Sequence, residues 1–305
     1  MTFVKGMLGL GDNIYQRAFI KQYPNKVYLS TPWPEIYADL PNVKCVLPQT
    51  KLRTQLKNIK KQASWESPAP TRNQVEIRYG DLGIVRGMAR SFKFWPANFD
   101  LPDFGRVIAD RPYALIRPVT VRKEWVAQSR NPAPEYVAEC ATVLREAGYL
   151  VVSVADLQEG AEWVVGELPE SDIQYHQGEL SVTQLMALVK NAAVVVGGVG
   201  WIVPAAIAYH TPAWIVMGGN GGFNAPGLIT YPTMRLDSIE FVKPDNFCRC
   251  KVSVHSCDKR ISNHANKFTQ WLRGLPNLVA GEGDGVPPSP PDHIREQLLE
   301  KLPGS

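Results

Sequence analysis

The chain has 305 residues, 45% hydrophobic and 20% charged, a composition that excludes a fibrous or largely disordered protein. At roughly 100 to 200 residues per domain, this length predicts two domains. The net charge of +4 is mild. Neither a signal-peptide core nor a run of about 18 apolar residues is found, so we expect a cytoplasmic protein without a membrane span.

The N-terminal part alternates short apolar strands with helical segments. Residues 1–10 predict a buried strand that ends in glycines, and residues 13–22 predict a helix. Further strands are predicted at residues 27–31, 43–47 and 75–77. Strands and helices in this order are typical of a parallel, doubly wound sheet.

The C-terminal part repeats the alternation, beginning with a strand at residues 113–118. The segments that follow are a helix at 133–147, a strand at 149–154, a helix at 181–191, a strand at 193–198, a helix at 203–209 and a strand at 213–219. We therefore predict an α/β protein with Rossmann-like domains at residues 1–110 and 111–278. A proline- and glycine-rich linker and a last helix occupy residues 279–305.

Positive charge is concentrated between residues 51 and 93. Such a patch is suited to phosphate groups, including those of nucleic acids. For residues 51–61 we favour a solvated helix face, because lysine and arginine normally cover exposed helices.

Gly9, Gly11 and Asp12 follow the first predicted strand, where ligands bind in doubly wound sheets. Glycines permit a tight turn there, and a helix N-terminus offers free N–H groups. Asp12 is placed to cap that helix or to act as a base. The spacing G-x-x-G-x-G argues against a nicotinamide cofactor, and the phosphate-loop motif of kinases and ATPases does not occur.

Arg117, Arg122 and Lys123 follow the strand that begins the second domain. They are suited to a diphosphate, the group that leaves when an activated sugar reacts. A salt-bridged surface loop is the alternative.

Glycine-rich segments follow two more strands of the second domain. Their candidate ligand-binding residues are Gly198, Gly200, Trp201, Gly218 and Gly219. Two such segments at neighbouring strand ends leave room for a flat or phosphorylated ligand. Tight turns alone are the alternative.

The loop at residues 245–258 contains Cys248, Cys250, His255 and Cys257. Three thiolates and an imidazole form a familiar zinc ligand set, although this spacing is tighter than usual. A disulfide or plain thiols are the alternatives. If zinc binds, four protein ligands imply a closed structural site.

With these motifs, the chain resembles the heptosyltransferase-like family of inverting glycosyltransferases, over about residues 4–227. GLGDNIYQRAFIKQYP looks like the family's opening motif, VRKEW like its K-x-W segment, and AAVVVGGVGWIVPAAIAYHTPAWIVMGG like its nucleotide-sugar motif. The resemblance implies the glycosyltransferase-B fold, in which two Rossmann-like domains face a cleft.

The resemblance also implies roles for individual residues. Asp12 would be the catalytic base, Gly9, Gly11 and Asn13 would form the acceptor loop, and Lys123 would lie near the donor phosphates. The donor would be a nucleotide sugar, and no catalytic metal is required.

The chain departs from the family at its donor motif. Gly197, Gly198 and Val199 stand where the family usually has Asp-Ser/Thr-Gly, and Ile202 or Val203 stands where it has histidine. This departure favours the alternative of a non-catalytic nucleic-acid-binding or assembly protein on the same fold.

Two classes of acceptor remain open for the enzyme. One is a glycan, and the other is a hydroxymethylated pyrimidine in DNA. The second is suggested by a resemblance to short phage-encoded enzymes that decorate modified bases, which would act in the host cytoplasm.

Overall fold

The computed structural model describes residues 1–68, 70–79, 82–108 and 111–275. The linker and final helix predicted at 279–305 lie outside these ranges. No helix within them is long and apolar enough to cross a bilayer.

The first sheet is parallel, with four strands in the order β3-β2-β1-β4. Its strands are β1 (Thr2–Lys5), β2 (Val27–Ser30), β3 (Val43–Val46) and β4 (Gln74–Glu76). The helices that accompany it are α1 (Leu10–Ile20), α2 (Arg53–Ile59) and α3 (Ile84–Phe92), with a 3-10 turn at Pro34–Tyr37. We call this part of the chain the N-terminal unit.

The second sheet is also parallel, with six strands in the order β12-β11-β10-β5-β7-β9. These are β5 (Tyr113–Ile116), β7 (Leu150–Val154), β9 (Ile173–Tyr175), β10 (Val194–Gly198), β11 (Ala213–Val216) and β12 (Ile239–Val242). The antiparallel pair β6 (Thr120–Arg122) and β8 (Glu162–Val164) stands apart from it. We call this part the C-terminal unit.

The helices of the C-terminal unit cover both faces of its sheet. They are α4 (Glu135–Glu146), α5 (Val182–Asn191), α6 (Ile202–Tyr209), α7 (Gly221–Asn224), α8 (Pro226–Ile229) and α9 (His264–Gly274). The α/β prediction with two doubly wound, Rossmann-like sheets is thus confirmed. Sequence analysis did not predict α3, α7, α8, α9, β6, β8, β9 or β12, and most of these elements are only three or four residues long.

The first helix begins earlier than the sequence pattern indicated. α1 starts at Leu10 with Gly9 as its N-cap, so that Gly11 and Asp12 lie in its first turn rather than in a loop before it. The prediction of a helix start at residue 13 was therefore wrong. A glycine inside a helix weakens it, but the buried Ile14, Ala18 and Phe19 face compensates for Gly11.

One buried apolar cluster extends through both units, because α1 packs against α6 between the two sheets. A second cluster fills the far face of the larger sheet beneath α4 and α9. In it, Phe268 of α9 is fully buried, with its ring centroid 5.3 Å from that of Trp214.

Replacing Phe268 by alanine is expected to lower the free energy of unfolding by about 3 to 5 kcal/mol, because a full aromatic ring is lost from a close-packed cluster. Urea denaturation measures this difference. Phe223→Ala is the matched control, since the Phe223 side chain is 42% exposed and should change stability by less than about 1 kcal/mol. Equal losses for the two variants would contradict the described packing.

Candidate active site

A cleft with a cavity volume of about 330 Å³ lies between the two units. The first turn of α1 lines its N-terminal side, and the loops after β5, β6 and β10 line the opposite side. Ligands of doubly wound sheets bind at such carboxyl ends of strands. This geometry places the candidate residues of both units around one space.

Asp12 lies on the N-terminal wall of the cleft. Its carboxylate accepts a hydrogen bond from the Tyr79 hydroxyl at 3.3 Å. Burial raises the pKa of Asp12 to about 6, while the Tyr79 hydrogen bond and the Arg130 charge partly offset that effect. A carboxylate of this pKa changes its protonation state near neutral pH, as a general base must.

The glycines beside Asp12 make room for protein atoms. A side chain on Gly9 would collide with the Asp12 carboxylate. A Cβ on Gly11 would lie 3.1 Å from the Trp201 Cα, which is closer than side chains normally approach. Gly11 thus allows α1 and α6 to meet, and both Gly9 and Gly11 still line the cleft.

Asn13 does not reach the cleft. Its side chain is fully buried, and its amide donates to the Met7 and Gly9 carbonyl oxygens at 2.6 and 2.8 Å. Its Oδ1 accepts from Gln16 and Thr31, at 2.7 Å each. Its predicted place in the acceptor loop is therefore corrected, because Asn13 points into the core beneath that loop and fixes its shape.

Three arginines of the C-terminal unit line the cleft: Arg117, Arg122 and Arg130. Burial lowers the pKa of Arg117 to about 10, and the nearby Arg122 charge adds to that effect, but Arg117 stays protonated at neutral pH. Arg122 Nε lies 2.7 Å from Glu162 Oε2. The cluster places arginine side chains opposite Asp12, with Glu124 and Glu162 beside them in the cleft lining.

Arg130 is the functional candidate that sequence analysis missed. Its Nε is buried, and no atom in the described part of the chain accepts a hydrogen bond from it. Burial also lowers the pKa of Arg130, and Asp12 acts against that effect. The available signal was its position in the connection between a strand and the next helix, where ligand contacts concentrate.

The other donor-side predictions divide into two groups. Gly200 and Trp201 line the cleft, as predicted. Gly198 packs beneath Pro132, and Gly218 and Gly219 are buried against the backbone of residues 129–131. The last three glycines therefore serve close packing of the chain and do not border the cleft.

Lys123 also lies away from the cleft. Its side chain is exposed, while its backbone N–H donates to the Ala161 carbonyl at 2.9 Å within the β6–β8 pair. Its neighbours line the cleft instead: Arg122 at the end of β6, and Glu124 in the turn that follows. The structure does not place Lys123 opposite Asp12.

Part of the predicted basic stretch is used in contacts between the two units. Arg53 of α2 forms ion pairs with Asp156 at 2.9 Å and with Glu162 at 2.7 Å. Lys57 forms another with Asp156 at 2.6 Å. These side chains hold α2 against the C-terminal unit, so they are not a free surface for phosphates.

The predicted metal ligands come together in one cluster. The ligand atoms of Cys248, Cys250, His255 and Cys257 all lie within 4.8 Å of one another. The Cys250 and Cys257 sulfurs are 3.7 Å apart, as are the Cys248 sulfur and His255 Nδ1. Two sulfurs of a tetrahedral zinc site lie roughly 3.8 Å apart at the usual Zn–S distance. The cluster therefore fits a four-coordinate metal and is separate from the cleft.

Comparison with known proteins shows the fold. The dodecameric iron-containing heptosyltransferase TibC in complex with ADP-D-β-D-heptose superposes with a TM-score of 0.57 at 16% identity, covering 99% of this chain and 77% of that one. TibC from enterotoxigenic E. coli H10407 gives a TM-score of 0.56 at 14% identity, with the same coverage of 99% and 77%. The chain thus has the glycosyltransferase-B type of fold found in heptosyltransferases.

The E. coli ADP-heptose lipopolysaccharide heptosyltransferase II gives a TM-score of 0.49 at 15% identity, covering 88% of this chain and 98% of that one. No protein-family model and no curated protein sequence matches the chain.

The raised pKa of Asp12 predicts a pH-dependent stability difference. The folded protein holds the Asp12 proton more tightly than the unfolded chain, so ionisation between about pH 4 and pH 6 destabilises the fold. Asp12→Asn should therefore be more stable than the wild type at about pH 7.5, by about 1 to 3 kcal/mol, and equally stable at about pH 4. Urea denaturation at the two pH values measures it. A difference that is the same at both would contradict the raised pKa.

Proposed function

We propose that the protein is an inverting glycosyltransferase that moves a sugar from a nucleotide sugar to an acceptor hydroxyl, with Asp12 as general base. One observation carries this proposal: a carboxylate of raised pKa faces three arginines across one cleft. The fold shared with TibC, a heptosyltransferase, supports it.

In this reaction Asp12 takes the proton of the acceptor hydroxyl as its oxygen bonds to the anomeric carbon. The bond from that carbon to the diphosphate oxygen breaks, and the nucleoside diphosphate leaves with the electron pair. Arg117 and Arg130 stabilise the negative charge that develops on it, and Arg122 lies beside them in its ion pair with Glu162. The N-terminus of α6, beside Gly200, contributes its partial positive charge.

We propose a nucleoside-diphosphate sugar as donor and ADP-heptose as the first compound to test. The TibC complex contains ADP-D-β-D-heptose, which supports that choice. In this proposal, arginines take the role near the donor phosphates that the sequence resemblance implied for Lys123. The unusual Gly197, Gly198 and Val199 sequence is compatible with this scheme, since none of its steps requires an acidic or imidazole group there.

We propose a glycan hydroxyl as the acceptor rather than a base in DNA. Arg53 and Lys57, which belong to the basic stretch 51–93, are already engaged with Asp156 and Glu162. Fewer cations therefore remain for a phosphate backbone. Binding of duplex DNA that weakens steeply with salt, through counterion release, would instead favour the DNA acceptor.

Replacement of Asp12 by asparagine should lower the rate of sugar transfer by about 100- to 10,000-fold, because the amide cannot accept the hydroxyl proton. Donor binding should be nearly unchanged. Transfer to a mixed glycan acceptor, followed by mass spectrometry, measures the rate, and calorimetry measures donor affinity. In the wild type, kcat/KM should fall as the pH drops below about 6.

Asp237→Asn is the control, since the Asp237 side chain is 88% exposed and lies outside the cleft lining. Transfer that persists in Asp12→Asn would remove Asp12 from the mechanism. A thermal-shift screen of nucleotides and nucleotide sugars tests the alternative of a non-catalytic binding protein, because a ligand of the native state raises its apparent stability. No shift with any of them would favour that alternative.

We also propose that the Cys/His cluster holds a structural zinc ion. Cys248, Cys250, His255 and Cys257 supply four ligands, which leaves no open position for a substrate. When bound, the metal would cross-link the loop and add to the stability of the fold. TibC is iron-containing, so iron is the second metal to measure.

Cys250→Ser is expected to lower the metal content from about one atom per chain to well below half, because serine is a poor ligand for a soft metal site. Elemental analysis of the purified protein measures it and identifies the metal. Cys45→Ser is the matched control, since Cys45 lies outside the cluster and should leave the content unchanged. Wild-type protein without metal would contradict the site.

A further inference from the structure

The turn that carries Arg130, residues 127–131, rests on the Cys/His loop. Here we call it the arginine turn. The Ser129 hydroxyl donates to the carbonyl oxygens of Val252 and Ser253, at 2.5 and 2.9 Å. The Ser129 N–H also donates to the Ser253 oxygen, at 3.0 Å. These carbonyls belong to the loop between the ligands Cys250 and His255.

A second contact of the arginine turn comes through Asn220. Its amide donates to the Val252 carbonyl at 3.0 Å and to the Ser129 hydroxyl at 3.3 Å. The N–H of Gly219 donates to the Ser129 carbonyl at 2.6 Å, and the Cys257 side chain fills the space above that glycine. Ser129 itself is completely buried. The back of the turn is therefore fixed to the metal-ligand loop on several sides.

The front of the same turn faces the cleft. Arg130 follows Ser129 directly, and its backbone N–H closes the turn on the Ala127 carbonyl at 3.1 Å. Ala127, Arg130 and Asn131 all line the cleft. With no hydrogen bond to hold Nε, the position of the guanidinium depends on how its backbone is held.

We propose that the Cys/His loop positions Arg130 in the cleft, and that Ser129 is the positioning residue that connects the two. The loop carbonyls fix Ser129, and Ser129 fixes the backbone from which Arg130 extends toward Asp12. Only the identification of the Arg130 ligand as a diphosphate rests on the proposed function. The structural coupling does not.

The first experiment measures the coupling without any ligand. The pKa of the Asp12 carboxyl is determined by NMR titration of the full chain labelled with 13C at its aspartate carboxyls. The Arg130 charge lowers that pKa, so Ser129→Ala should raise it by about 0.3 to 1 unit as the guanidinium moves away. Arg130→Gln should also raise it.

The double variant decides whether Ser129 acts through Arg130. If it does, adding Ser129→Ala to Arg130→Gln changes nothing further, because the group being positioned is already gone. Additive shifts, or no shift in Ser129→Ala, would overturn the proposal. Ser262→Ala is the control, since its hydroxyl donates to Asp245 at 2.6 Å on the exposed side of the loop, away from the arginine turn.

Asn220→Gly provides a second variant should Ser129→Ala fold poorly. Asn220 has a φ of 56°, a conformation that glycine adopts easily, so the change removes the amide contacts and keeps the backbone. It should shift the Asp12 pKa in the same direction. Metal content should stay at the wild-type value in both variants, which shows that the ligands themselves are intact.

The second experiment connects the coupling to the proposed function. Inorganic pyrophosphate represents the leaving group of any nucleotide sugar, and its affinity should fall about threefold to tenfold in Ser129→Ala and at least as much in Arg130→Gln. A shifted Asp12 pKa with unchanged pyrophosphate binding would preserve the coupling and contradict the diphosphate site. An unshifted pKa would overturn the coupling whatever pyrophosphate does.

Discussion

The approach of α1 to α6 is the contact on which the cleft depends. At Gly11 the backbone of Trp201 occupies the space where a side chain would begin. Because the two helices meet there, the first turn of α1 and the strand-end loops of the C-terminal unit form the walls of one cavity. A larger residue at this point would separate a carboxylate from the arginines that it faces.

In the cleft, Asp12 and Arg130 each affect the pKa of the other. Burial alone would raise the pKa of Asp12 further, and Arg130 limits that rise. The same carboxylate counteracts the effect of burial on Arg130. A partly desolvated carboxylate that faces arginines across a cleft suits a reaction in which the carboxylate takes a proton and the arginines receive a negative leaving group.

The sequence predicted those features that follow from local patterns. Apolar periodicity located the strands near residues 27–31 and 193–198, and the strand-end rule identified Asp12 and Arg117, which line one cleft. Prediction from the sequence failed where the direction of a side chain depends on contacts with distant parts of the chain. Lys123 and Arg122 are neighbours in sequence, but β6 ends at Arg122, and the turn that follows leaves the Lys123 side chain exposed.

The same limit explains the remaining errors. In the sequence, Asn13 looks like part of an exposed loop. The helix begins at Leu10, however, and turns the Asn13 side chain inward. Gly218 and Gly219 have the composition of a ligand loop, but the arginine turn packs on them. Arg130 lacked a sequence motif, since its importance comes from a buried nitrogen for which none of the described residues offers a hydrogen-bond acceptor.

The ion pairs of Glu162 restrict which substitutions relatives of this chain can accept. Its carboxylate, only 1% exposed, binds Arg53 of the N-terminal unit and Arg122 of the C-terminal unit, each at 2.7 Å. A buried charge that loses its partners is strongly destabilising. We therefore expect substitutions at these three positions to occur together among relatives. Such correlated substitutions would join positions that are far apart in the chain.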